Sequence, residues 1–316
     1  MRALVTGAGG FIGGHLVRAL LERGEEVCAT DVKPDGEWHQ VHDRAGCLPG
    51  FDLTDPAAAR FVTRGAGVVF ALAADMGGMG YLTFHEADVL TSNLLISVNT
   101  VKAACEAGAA KVVYASSACV YPEHRQESPD VEPLAEDMAW PAAPDLAYGW
   151  EKLTTERLLT ACKAEGRLDV RIARLHNIYG PDGTWDGGRE KAPAALCRKA
   201  AVAADGGVIE VWGDGQQTRS FCYADDCVEG LLRLADSDFT GPLNIGSDRL
   251  VTVDDLAGMA IKASGKTLRI THVEGPQGVR GRNSDNTLCR KVLGWEPQVS
   301  LEDGMARTYR WIAEQA

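Results

Sequence analysis

The stretch Arg2-Ala-Leu-Val-Thr-Gly7-Ala-Gly-Gly10-Phe-Ile-Gly13 decides the fold. Arg2–Thr6 is a short, mostly apolar run of the kind a buried parallel strand requires. Glycines at 7, 10 and 13 follow at once. His15–Glu22 then repeats apolar residues at helical period, and Gly24 supplies a C-terminal stop. The next run, Val27–Asp31, ends on a carboxylate. Strand, glycine turn, helix and strand in this order predict a βαβ unit. Bare glycines let the backbone approach a pyrophosphate, and the helix N-terminus offers unpaired N–H groups with positive dipole. Asp31 lies 18 residues beyond Gly13. An acid at that strand end binds both ribose hydroxyls of an adenosine and repels a 2′-phosphate, so NAD is expected rather than NADP.

The same alternation continues downstream. Phe51-Asp52-Leu53 reads as the end of a third strand, with Asp52 near the adenine, and Gly67–Ala74 reads as a fourth. Asp75-Met-Gly-Gly-Met-Gly80 is too rich in glycine for a helix and reads as a flexible loop. Glu86–Glu106 is a long helix stopped by Gly108. A short strand at 112–115 then runs into a loop carrying Ser117 and Cys119. A Pro/Glu-rich loop spans 122–145, a helix begins at Tyr148 and runs to about Glu165, and Asp169–Leu175 is a further strand. Strands alternating with helices at this spacing predict an α/β fold with a doubly wound parallel Rossmann sheet. Residues 1–175 form the expected NAD-binding domain, to which about 220–248 return. Residues 176–316 are expected to form mainly a smaller C-terminal α/β substrate-binding lobe. It holds a hairpin in Val208–Gly215, a helix at Val253–Ser264 and a last helix from Leu301, with a ligand cleft between the lobes.

Composition narrows the functional classes. A formal net charge of −12 argues against a nucleic-acid surface, which needs clustered basic residues. The nine cysteines are scattered, with no CxxC pair and no zinc spacing, so neither a disulfide framework nor a metal site is indicated. Reduced thiols fit a cytoplasmic protein. The opening lacks the long apolar region of a signal peptide, and no run approaches the roughly 18 apolar residues of a membrane helix. A soluble cytoplasmic protein with no membrane partner is expected.

Two pairs of residues carry the candidate chemistry. Tyr148 and Lys152 lie four apart on one helix, which puts a phenol and an ammonium on one face. A nearby cation lowers a phenol toward neutrality and makes it a usable general base. Beside a dinucleotide loop and a serine at a strand end, that pair reads as a hydride-transfer site. Cys119 and Lys191 say less alone: a small core thiol and a solvated charge are their ordinary fates. Both can nonetheless titrate near neutral pH when a cation or desolvation tunes them.

The glycine triplet, Asp31, Ser117, Tyr148 and Lys152 together resemble the extended short-chain dehydrogenase/reductase family of NAD-dependent sugar epimerases and dehydratases. One subgroup, the 3,5-epimerases that act on GDP-mannose, is similar over essentially the whole chain. The strings that carry this are Ala73–Gly80, Tyr114–Cys119, His176–Gly180, Gly187–Pro193, Trp212–Gly215 and Gly278–Asp285. The resemblance implies that Tyr148, helped by Lys152 and Ser117, takes the C4 hydroxyl proton while the cofactor takes the C4 hydride. The 4-ketone acidifies the hydrogens on C3 and C5. Cys119 and Lys191 then act as acid and base on opposite faces, and the hydride returns to C4, giving GDP-L-galactose or GDP-L-gulose.

Cofactor contacts implied by the resemblance are Gly7, Gly10, Phe11, Ile12, Gly13, Asp31, Asp52, Ala73, Tyr148 and Lys152. Asn177, Lys199, Gln217, Arg219 and Arg282 are implied to hold the diphosphate and sugar of a GDP-sugar substrate. Glu190 is implied beside them, and Met76, Gly77 and Gly78 are implied to line the sugar pocket. A homodimer through helices 86–106 and 148–165 is implied as well. Three rival readings stand alongside: another nucleotide sugar or heptose, a C4-epimerase or 4,6-dehydratase, and a non-catalytic NAD-sensing module. The acid that a dehydratase carries near Ser117 is replaced here by Cys119, and a sensor has no need of Tyr148 and Lys152.

Overall fold

The computed structural model describes residues 2–316. The first half runs β1 (Ala3–Thr6), α1 (Phe11–Glu22), β2 (Val27–Asp31), β3 (Gly46–Pro49), α2 (Pro56–Val62), β4 (Val68–Ala71), α3 (Met79–Phe84), α4 (Glu86–Glu106), β5 (Lys111–Ser117) and α5 (Ala147–Ala164). It continues with β6 (Asp169–Leu175), β7 (Ile178–Tyr179), α6 (Ala192–Val202), β8 (Val208–Trp212), β9 (Thr218–Ser220), β10 (Cys222–Tyr223), α7 (Ala224–Asp236) and β11 (Pro242–Ile245). The last stretch is β12 (Leu250–Thr252), α8 (Val253–Ser264), β13 (Arg269–Val273), β14 (Gly281–Arg282), α9 (Thr287–Leu293) and α10 (Leu301–Ala313).

Seven parallel strands form the central sheet in the order β11-β6-β5-β4-β1-β2-β3. Chain order reverses between β1 and β4, and the crevice at such a switch point is where doubly wound sheets take ligands. One face of the sheet is covered by Leu16, Val17 and Leu20 of α1 with Leu231 and Leu234 of α7. The other is covered by Val101 and Ala104 of α4 with Leu159 of α5. Burial on both faces explains why β1 is apolar throughout Ala3–Val5. The segment from 224 to 245 rejoins this sheet, β11 pairing with β6 at its edge. The other lobe has its own core, where Leu196 of α6, Leu256 of α8 and Met305 and Ile312 of α10 are buried together.

Four local expectations change. The third strand closes at Pro49, because Gly50 adopts φ 78°, and Phe51–Leu53 lie beyond its end. The 75–80 segment is not a free loop. α3 starts within it at Met79, and Gly78 N–H donates to the Arg189 carbonyl at 3.0 Å. β5 is longer than 112–115 and takes in Ser116 and Ser117, which pair with Arg174 and Leu175 of β6. Val208–Gly215 is not a hairpin: β8 pairs in parallel with β13. Gly213 and Gly215, at φ 76° and 72°, turn the chain away into β9, which belongs to a different sheet.

Candidate active site

The cofactor half is built on backbone shape. Gly7 has φ 72°, and a Cβ there would stand 2.9 Å from the Ala73 backbone. A Cβ on Gly13 would stand 2.1 Å from the Gly7 carbonyl oxygen, so only glycine lets α1 start against β1. Gly10 is the N-cap of α1 and contributes no side-chain cap, while Phe11 and Ile12 form its half-buried first turn. The first N–H groups of α1 are therefore open to an anion. Asp31 ends β2 nearly buried. Its two oxygens accept from the Gly9 and Lys33 N–H groups at 3.0 Å each. This cradle, open helix terminus and fixed carboxylate fit a dinucleotide. Asp52 is exposed just past Asp31, and its carboxylate accepts from Thr54 N–H at 2.9 Å.

β5 and α5 place the residues expected to carry the redox step. Ser117 is the last residue of β5, and its Oγ accepts from Cys119 N–H at 3.1 Å. The chain does not stay extended past Ser117; it turns through a 3₁₀ turn at Ala118–Val120. Tyr148 and Lys152 are both buried on α5, with Lys152 Nζ 5.4 Å from the Tyr148 ring centroid and 4.9 Å from that of Tyr114. The expected acidification of the phenol is not the net result. Burial pushes Tyr148 well above its ordinary value, with Lys152 pulling the other way. Lys152 itself is lowered by burial, but Glu151 and Tyr148 outweigh that and hold it above the ordinary lysine value.

Cys119 stands among cations. Met76, Tyr81 and Cys119 pack on the same small apolar cluster as Tyr148. Arg282 Nη1 donates to Cys119 Sγ at 3.2 Å. Gln126 accepts from Arg282 Nε, and Asp145 lies 3.6 Å from Nη2. Burial disfavours the Arg282 charge, but a Cys119 thiolate and Asp145 restore it.

Lys191 is the N-cap residue of α6. Burial lowers its ammonium below the ordinary lysine value, against the pull of Cys119. The positive end of α6 acts in the same direction. Arg189 holds this segment: it donates to Asp75 Oδ1 at 2.8 Å and to the Tyr81 hydroxyl at 2.7 Å, with its guanidinium 3.8 Å from the Tyr81 ring centroid. Glycine at 78 is required here, since a Cβ would stand 2.5 Å from the Glu190 carbonyl oxygen. Gly77 fits against the Tyr81 side chain in the same way.

The residues expected to hold substrate fall in two groups. Arg219, Arg282 and Gln217 converge from β9, β14 and the turn before β9. Burial and then the neighbouring Arg282 push Arg219 down to about 9. Arg219 donates to the Thr218 and Val279 carbonyls at 2.7 and 2.6 Å. The buried Arg282 Nη2 and Gln217 Oε1 have no hydrogen-bond partner among the described residues, which leaves a donor and an acceptor free for a ligand. Asn177 sits at φ 44° with its amide donating to the Ser220 carbonyl at 2.8 Å, a strained position of the kind found at ligand sites. Lys199 and Glu190 are engaged elsewhere. Lys199 donates to the Glu210 carbonyl at 2.7 Å, and burial lowers its ammonium. Glu190 accepts from Gly188 N–H at 2.7 Å and from Arg198 at 2.9 Å.

Sequence reading missed Gln126, Asp145 and Gly149. The first two lie in the 122–145 loop, where no periodicity marks them. Gly149 did carry a signal, being a glycine just inside a helix, where it costs about 1 kcal/mol against alanine. A Cβ there would stand 2.1 Å from the Cys119 carbonyl oxygen, so the bare Cα lets the Cys119 turn press against α5.

Comparison with known proteins bears on the whole chain. Residues 3–246 match the NAD dependent epimerase/dehydratase family. GDP-mannose 3,5-epimerase 1 of Oryza sativa subsp. japonica is 48% identical over 318 residues, spanning 100% of this chain and 82% of that protein. The structure of UDP-glucose 4-epimerase with UDP-glucose from Thermotoga maritima matches with a TM-score of 0.88 at 26% identity, covering 100% of this chain and 99% of that one. UDP-glucuronic acid 4-epimerase from Bacillus cereus, in complex with UDP-glucuronic acid and NAD, matches at 0.86 and 25% identity with both chains fully covered. The cradle, the paired Tyr148 and Lys152 and these matches agree: the chain belongs to the NAD dependent epimerase/dehydratase family.

Proposed function

We propose that the chain is a GDP-mannose 3,5-epimerase, inverting C3 and C5 of GDP-D-mannose through a transient 4-ketone. The observation that carries this reading is Cys119. A thiol under a guanidinium, packed beside the hydride-site tyrosine, is an acid–base group that a C4 redox step alone does not need. The rice relative at 48% identity is named for this reaction.

Gly7, Gly13, the start of α1 and Asp31 would hold NAD. When bound, it supplies a hydride acceptor and donor for C4 and a cationic ring. Tyr148 takes the proton of the C4 hydroxyl, with Lys152 balancing the phenolate and Ser117 bonding the same oxygen. Once C4 is a carbonyl, a carbanion at C3 or C5 is delocalised as an enolate. Cys119 and Lys191 stand on separate elements, one after β5 and one before α6. One removes a proton from a face of the sugar and the other delivers one to the opposite face. Arg219 and Arg282 meet the diphosphate, their mutual repulsion relieved by its charge. Met76, Gly77 and Gly78 line the sugar, with Arg189 keeping Lys191 in reach.

The protein acts as a homodimer through α4 and α5 in this reading. Support comes from Leu95 and Val98 on α4 and Trp150 on α5, which are about half exposed and apolar. A cytoplasmic setting is supported by nine free cysteines. Among the described residues, no helix is long and apolar enough to cross a membrane.

The test is turnover in deuterated buffer with GDP-, UDP- and ADP-sugars, read by NMR. GDP-mannose gains solvent deuterium at C3 and C5 and none at C4, because the C4 hydrogen is returned internally. Deuterium at neither carbon contradicts the proposal, and stronger labelling of another nucleotide sugar reassigns the substrate.

A further inference from the structure

Below the redox residues lies a charge that the mechanism above does not use. Glu151 occupies the position before Lys152 on α5, and none of its surface is exposed. Its Oε1 is 3.4 Å from Lys152 Nζ. Neither Glu151 oxygen has a hydrogen-bond partner among the described residues. The surrounding atoms are polar and equally unsatisfied: the Tyr114 hydroxyl of β5 and Thr155 Oγ1, one turn along α5, are buried without partners. Asn93 of α4 closes the other side, with its own amide committed to the Asp75 backbone at 2.6 and 3.0 Å.

A carboxylate wholly removed from water costs several kcal/mol unless a counter-ion offsets it. A polar residue of shorter reach would fill this space without that penalty, so the carboxylate needs a reason. Among the described residues, the only cation against it is Lys152. Glu156, also on α5, is spent on Arg174 at 2.8 Å. The groups that face the pair are Tyr148 from α5, Tyr114 from β5 and Cys119 from the turn after β5; each is neutral or negative. Without Glu151, the desolvated Lys152 would keep only partners that are neutral until they lose a proton.

We propose that Glu151 is a positioning residue of the C4 redox step, anchoring Lys152 and keeping it an ammonium beneath Tyr148. This rests on the epimerase reading above. The site must handle a proton at Tyr148 and separate protons at Cys119 and Lys191. A Lys152 that could release its own proton would add a competing donor beside the phenolate. Glu151 removes that freedom. Burial pushes the Glu151 carboxyl up while Lys152 pulls it down, so each charge holds the other in place.

The experiment follows Lys152 directly. In ¹⁵N-lysine-labelled protein without substrate, Lys152 Nζ is assigned by its disappearance in Lys152→Met. In the parent it remains an ammonium past the ordinary lysine range. In Glu151→Gln, which keeps shape and removes charge, it titrates lower by about one pH unit or more, a tenfold change in its proton affinity. Glu151→Asp keeps the charge but withdraws it by one methylene, and shifts the same resonance by less. In turnover, Glu151→Gln loses about tenfold in kcat with KM for GDP-mannose changed less than about twofold, and the alkaline limb of its pH profile moves down with Lys152. Lys152 titrating alike in the parent and in either folded variant overturns the proposal. If the parent fails to turn over GDP-mannose, the substrate assignment falls while the titration result stands.

Discussion

The two halves of the site are built differently. Ser117, Tyr148 and Lys152 stand on the end of a central strand and the body of an 18-residue helix, and all three are buried. Cys119, Lys191 and Arg282 stand on a 3₁₀ turn, a helix N-cap and a two-residue strand, held by tethers such as Arg189–Asp75 and Arg282–Asp145. In the proposed mechanism, the first half performs chemistry that depends on fixed geometry to one carbon. The second must reach two carbons on opposite faces of a sugar ring, and short side-chain tethers suit that task. The contrast teaches that redox at C4 is an attribute of the scaffold, while inversion is an attribute of loops hung from it.

The largest expected effect tests the order of the two halves. Tyr148→Phe removes the proposed base at C4, and because the C3 and C5 hydrogens are acidified only after oxidation, labelling at both carbons falls by about 10²–10⁴-fold. Solvent labelling at C3 or C5 surviving in that variant would separate inversion from oxidation. Gly149→Ala is next, since it strikes a point where the halves touch. Its Cβ meets the Cys119 carbonyl, and a displacement of about 1 Å there costs about 10²-fold in turnover with the fold intact by circular dichroism. Arg189→Ala cuts only a half-exposed tether worth about 1 kcal/mol. It slows C3 and C5 labelling about fivefold and leaves hydride removal from C4 unchanged, as read by reduced-cofactor absorbance.

The smallest effect is on stability. Lys191 is lowered from 10.5 by burial, so the unfolded chain binds its proton more tightly than the folded one. Folding with that ammonium therefore costs free energy at neutral pH, and the cost disappears as pH rises toward 10.5. Lys191→Met should raise the melting temperature at neutral pH, with the gain shrinking in alkaline buffer. A gain that grows with pH would mean that Lys191 is stabilised as a cation by partners in the fold.

Legibility in the sequence divides along the same line. The strand–glycine–helix unit, α4 and α5 were readable because their residues are constrained by periodicity and by bare Cα positions. Glu86–Glu106 falls on the expected bounds for that reason. Parallel pairing of β8 with β13 was not, because the partners are separated by about 60 residues and no turn signal links them. The tethers were invisible for a similar reason: Asp75, Gln126 and Asp145 lie in segments without period, and their partners come from distant elements. The 75–80 stretch misled because its glycines suggest freedom, whereas Gly77 and Gly78 are there to permit close contact with Tyr81 and Glu190.

The central claim, that oxidation at C4 proceeds without Cys119 while inversion requires it, is tested most directly by Cys119→Ser with GDP-mannose in deuterated buffer. Reduced-cofactor absorbance should still rise on adding the sugar, showing hydride removal from C4, while deuterium at C3 and C5 falls by about 10²-fold or more. Deuterium entering both carbons at the parental rate would contradict the account.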